Sequence, residues 1–148
     1  MAKDINIIVD ASGSMIEDGK NNVIKYLING ICSAKRNGIF GDTSFKLFQW
    51  GEETKEIYDM EKAKINFSGK SKAEELKKIN ELINKRDAIL FISDGNIESK
   101  EKNAIKKLSN NITTIYVGID SNKKILKDIS SNKVVYSVMD FVQAIIDA

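Results

Sequence analysis

No histidine and no proline occur anywhere in this chain, and Cys32 is its only cysteine. Without His there is no zinc site of the His/Cys type and no mechanism that turns on an imidazole base. A lone cysteine cannot form an internal disulfide, which makes a reducing compartment the natural setting. Beside Ile28 and Ile31 on the first predicted helix, Cys32 reads as a small buried hydrophobe. The lack of proline removes one usual marker of element boundaries. No run reaches the roughly twenty apolar residues of a membrane span. The first strand candidate opens at Ile5, too early for a leader with charged, apolar and cleavage regions. Charge of one sign is missing too, since 23 Lys+Arg against 21 Asp+Glu leave only +2. The basic residues are spread rather than massed, which describes a solvated surface and not a nucleic-acid footprint. The expectation is a cytoplasmic chain with neither nucleic acid nor a membrane as partner.

What is present is apolar periodicity. A 42% hydrophobic content over 148 residues supplies one sizeable core and leaves no room for a second, so residues 1–148 read as a single domain. Short β-branched runs alternate with helical patterns, the mark of a mostly parallel α/β sheet with helices on both faces. Six strands are predicted: 5–9, 44–50, 55–58, 88–92, 112–117 and 133–136. Helices are expected over about 21–35, 71–84, 100–108, 123–129 and 140–146. Only Gly51-Glu52-Glu53-Thr54 separates the second strand from the third. That gap is too short for a crossover helix, so the third strand should lie antiparallel at the sheet edge.

The chemistry collects in three loops. Asp10-Ala11-Ser12-Gly13-Ser14 follows the first strand, Ser68-Gly69-Lys70-Ser71 precedes the second helix, and Ser93-Asp94-Gly95 follows the fourth strand. In open α/β sheets ligands bind beyond the carboxyl ends of the strands. A carboxylate and two hydroxyls spaced two residues apart can aim three hard oxygens at one point, a set suited to Mg²⁺ or Mn²⁺. The bland alternative for Asp10 and Ser12 is helix capping without a metal. If the first and fourth strands are neighbours, Asp10 and Asp94 lie side by side. Two such carboxylates repel unless one is protonated or a cation sits between them.

The order of elements, the Asp10-x-Ser12-x-Ser14 loop, the Ser93-Asp94-Gly95 turn and the hairpin of strands two and three together resemble the von Willebrand factor A (vWA) domain. The likeness extends over nearly the whole chain. It implies a doubly wound, six-stranded sheet carrying a metal-ion-dependent adhesion site (MIDAS). Asp10, Ser12, Ser14 and Asp94 match the family's ligand pattern directly. The family's threonine falls on Ser71 if Gly69-Lys70-Ser71 replaces the usual Gly-Gly-Thr, with Ser68 as its competitor. Serine keeps the hydroxyl and loses the methyl that stiffens χ1.

Rival motifs fail on single residues. A phosphate-binding P-loop ending in Gly69-Lys70-Ser71 needs glycine at position 64, which is Lys64. A dehalogenase-type phosphatase needs an Asp where Ser12 stands. A phosphoacceptor receiver domain needs a Lys where Gly118-Ile119-Asp120 stands. Trp50 reads as a core or hairpin aromatic and Lys70 to Lys78 as a solvated helix face. The resemblance implies a binding module in which an acidic residue of a partner protein completes the metal's shell. It also implies company such as AAA+ ATPases or kinase and phosphatase modules. A metal-dependent hydrolase is the runner-up and a scaffold with an unused metal site the third reading; the three loops offer hydrolysis no evident base.

Overall fold

The structure is a computed structural model that describes residues 3–109 and 111–148. Its centre is β1 (Asp4–Asp10), in which every residue after Asp4 is buried. A β-branched run with no exposed face suits the middle of a parallel sheet. β2 (Ser44–Trp50) and β4 (Ala88–Ser93) pair with β1 on either side, both parallel. β3 (Lys55–Ile57) runs antiparallel on β2 as the outer strand, as the four-residue gap requires. β5 (Ile112–Tyr116) and the two-residue β6 (Val135–Tyr136) complete a six-stranded sheet of order β3-β2-β1-β4-β5-β6.

Side-chain alternation along the strands sorts the core into two layers. Ile5, Ile7, Val9, Leu90 and Ile92 pack with α1 (Lys20–Arg36) and α5 (Phe141–Asp147). Ile8, Phe48, Trp50, Ile89 and Phe91 face α2 (Leu76–Leu82), α3 (Ser99–Lys106) and α4 (Lys123–Ile129). Trp50 is fully buried against Phe91 at 5.9 Å between ring centroids, and Cys32 is buried on α1. Among the described residues, no helix is long and apolar enough to cross a membrane.

The predicted second helix needs correcting. Rather than starting at Ser71, it opens with a 3₁₀ turn at Ala73–Glu75 and becomes α-helical at Leu76. The backbone of Lys72 explains the delay. Its N–H donates to the carbonyl of Gly51 at 3.2 Å, and its carbonyl accepts the Trp50 indole N–H at 2.7 Å. These bonds tie Lys72 in extended conformation to the β2 end, and its carbonyl also accepts the Glu75 N–H at 3.1 Å, so the helical turn begins only after it. Leu82, expected on the apolar side, is instead half exposed.

The connection that leaves β1 runs to β2 on one side, and the one that leaves β4 runs to β5 on the other. That divergence opens the switch-point crevice at the ends of β1 and β4, where open α/β sheets place their ligands.

Candidate metal centre

β1 delivers Asp10 to this crevice completely buried. Its Oδ1 accepts the Ser71 hydroxyl at 2.8 Å and the Ser12 backbone N–H at 3.1 Å, and its Oδ2 accepts the Ser93 hydroxyl at 2.7 Å. Burial pushes the Asp10 carboxyl above the usual range. Hydrogen bonds from Ser93, Ser71 and the Ser12 N–H offset only part of that, and the nearby Asp94 charge adds to the rise.

Ser12 does not cap a helix with its side chain. Its Oγ lies 3.2 Å from Ser14 Oγ, and Ser14 Oγ donates to Asp94 Oδ2 at 3.0 Å. The capping alternative for this hydroxyl is therefore not what the loop adopts. The first loop closes on the second through the Gly13 N–H, which donates to the carbonyl of Gly69 at 2.9 Å. Ser68 donates its backbone N–H to the carbonyl of Ala11 and leaves its side chain exposed, whereas Ser71 is buried with its hydroxyl on Asp10. Of the two second-loop candidates, the fold brings Ser71 into the cluster.

Asp94 is fully buried, and its second oxygen has one more partner. Lys20 Nζ stands 3.0 Å from Asp94 Oδ2, 2.9 Å from Asp120 and 3.4 Å from the Ser14 carbonyl. Burial alone would raise the Asp94 carboxyl. The Asn96 N–H, Lys20 and the Ser14 hydroxyl outweigh it and hold the group below the ordinary value. Burial likewise opposes charge on Lys20, but Asp120 and Asp94 overcome it and keep the ammonium bound to its proton more firmly than usual.

Lys20 is the site residue that the motif reading missed. The signal was present: Lys20, Ile24, Leu27, Ile28 and Ile31 share the buried stripe of α1, and a lysine on an apolar stripe asks for an internal counter-charge. The predicted helix began one residue later, at Asn21, which left Lys20 outside the pattern.

Comparison with solved structures places this architecture. The aerotolerance-related membrane protein of Bacteroides fragilis superposes with a TM-score of 0.70 over 97% of this chain and 96% of its own, at 14% identity. Manganese-loaded TRAP protein of Plasmodium vivax gives 0.69 over 97% of this chain and 71% of its own, at 16% identity. The mussel byssus proximal thread matrix protein 1 with a zinc-occupied MIDAS motif gives 0.63 over 99% and 45%, at 17% identity. The fold is that of the von Willebrand factor A domain. No family model and no curated protein matches the sequence itself.

Within this vWA fold the donor chemistry fits a hard divalent ion. The two carboxylates accept hydrogen bonds from the hydroxyls of Ser71 and Ser14, which leaves serine lone pairs free to face a cation. Among the described residues no group of three or more Asp, Glu, His or Cys forms an alternative metal cluster. Asp10, Ser12, Ser14, Ser71 and Asp94 are the residues that would hold the ion.

Proposed function

We propose that this vWA-fold chain is a metal-dependent protein-binding module of the cytoplasm, acting within a multiprotein system. One observation carries the reading: three serine hydroxyls from two loops and two buried carboxylates from β1 and β4 meet at the switch-point crevice. When bound, Mg²⁺ or Mn²⁺ would supply an electron-poor position that accepts a carboxylate oxygen from a partner's Asp or Glu. The chain's own part is preorganisation. Asp10 and Asp94 orient the hydroxyls of Ser71 and Ser14 by accepting their hydrogen bonds, and the hydrogen bonds joining the first and second loops hold the serines in register. Metal-loaded structures among the vWA-fold neighbours, one with manganese and one with zinc, support a divalent ion at such a site.

Binding is favoured over hydrolysis by the surroundings. Lys20, the nearest amine, is held as a cation by two carboxylates and is no base. The concavities of about 540 Å³ between α2 and α3 and about 630 Å³ beside α1 include none of the five residues. The half-buried Ser12 and Ser14 instead meet solvent at an open crevice that suits a protruding side chain of a protein. The test is retention of partner proteins from the native cell by immobilised wild type, with and without EDTA, beside the Asp10→Ala, Asp94→Ala variant. Chelator-sensitive capture that the variant lacks is the expected result; capture equal in all three lanes overturns the reading.

A further inference from the structure

The Lys20 side chain crosses the interior to reach the back of the metal centre. It is 1% exposed, and its ammonium joins Asp94, whose Oδ2 also holds the Ser14 hydroxyl, to Asp120 on the loop between β5 and α4. The passage is built for it. Gly118 adopts φ +93°, and a Cβ there would lie 2.6 Å from Lys20 Cε and 2.9 Å from Asp120 Oδ1. Asp94 and its neighbour are tied to the same loop by the N–H of Val117 on the Ser93 carbonyl at 3.1 Å and that of Asn122 on the Asp94 carbonyl at 2.7 Å. A buried lysine, a glycine that leaves it room and two acids on its one ammonium form one unit.

We infer that Lys20 is a resident counter-cation of the metal centre, which compensates Asp94 when no ion is bound and thereby weakens divalent-ion binding, with Asp120 drawing part of its charge away. The inference rests on the metal reading above. Its logic is electrostatic. Two carboxylates at one crevice are costly without a cation, and Lys20 supplies one unit of positive charge to Asp94 before any ion arrives. An incoming ion then meets a less negative site and a like charge across the Asp94 carboxylate. Asp120, 43% exposed, holds the other side of the ammonium and moderates both effects.

The experiment is a Mn²⁺ titration of the full chain, followed by electron paramagnetic resonance, on wild type, Lys20→Met and Asp120→Asn, with melting curves in EDTA. Lys20→Met should bind Mn²⁺ at least about tenfold more tightly, because a like charge close to the ion is removed, while melting lower than wild type in EDTA. Adding Ser12→Ala to Lys20→Met should abolish the tight binding, which shows the ion still on the serine hydroxyls rather than between Asp94 and Asp120. Asp120→Asn should bind about threefold more weakly, since a negative charge leaves and Lys20 shifts fully onto Asp94. If Lys20→Met does not fold in EDTA, it is titrated after refolding in Mn²⁺, and the Asp120→Asn result stands independently. A wild type that binds nothing beside a Lys20→Met that binds also supports the inference. Wild-type binding that neither variant changes overturns it and leaves the metal site standing; no binding in any of the three overturns the metal reading itself.

Discussion

Ser71 Oγ lies 2.8 Å from Asp10 Oδ1 and 3.0 Å from the carbonyl of Trp50, so one loop hydroxyl joins the ends of β1 and β2 inside the crevice. Removing it leaves Asp10 short of a buried donor. Ser71→Ala should cost about 1–3 kcal/mol of stability and weaken Mn²⁺ binding, whereas Ser71→Thr retains the hydroxyl and should keep binding near the wild-type level. Ser68→Ala, on an exposed side chain, should leave both unchanged. Thermal melts and calorimetry on the three variants decide; loss of metal binding in Ser68→Ala instead would reassign the second-loop ligand.

Asp10 gives the pH dependence. Its folded-state pKa is raised above the ordinary 3.8, chiefly by burial. Between 3.8 and that raised value the unfolded chain ionises this group and the native chain does not. The metal-free protein therefore loses stability from Asp10 as pH rises through that window. A bound divalent ion favours the ionised carboxylate, so Mn²⁺ binding should weaken as pH falls through the same window and release protons on association. Asp10→Asn removes the buried charge and should melt no lower than wild type in EDTA at neutral pH while binding no metal. Calorimetry in buffers of different ionisation enthalpy measures the protons; uptake rather than release would reverse the assignment.

The backbone around Lys20 makes a separate prediction. Gly118→Ala forces a side chain into the left-handed region against Lys20 and should cost about 1–3 kcal/mol. Gly51→Ala is the control, because a Cβ there would meet Ala11 Cβ at an ordinary 3.5 Å. Equal melting temperatures for the two variants would mean that the Lys20 passage is looser than described.

How much of this was legible beforehand depends on the range of the forces involved. The strand ending at Asp10, the edge hairpin and the Ser93-Asp94-Gly95 turn are written in local apolar runs and gap lengths, and the fold follows them. The start of the second helix was not, because Lys72 is held by the carbonyl of Gly51 and the indole of Trp50, partners about twenty residues away that no propensity encodes. Lys20 was hidden for the same reason. Its acids, Asp94 and Asp120, lie 74 and 100 positions along the chain. The expectation that a divalent ion relieves the Asp10–Asp94 repulsion was thus incomplete, since the chain carries a cation of its own against Asp94.

Metal removal should not unfold the protein, because both core layers form from strand and helix side chains without any contribution from an ion. Saturating Mn²⁺ should raise the melting temperature modestly, by the equivalent of about 2.7 kcal/mol at a hundredfold excess over Kd. Circular dichroism in EDTA tests this, and collapse of secondary structure there would make the ion a folding determinant instead.

The most direct measurement is the stoichiometry of Mn²⁺ bound to the wild type and to Asp10→Ala, Asp94→Ala, by electron paramagnetic resonance of the free ion. The account predicts one ion per wild-type chain, lost in the double variant while its circular dichroism remains that of a folded α/β protein. One ion bound with equal affinity by both proteins would contradict it.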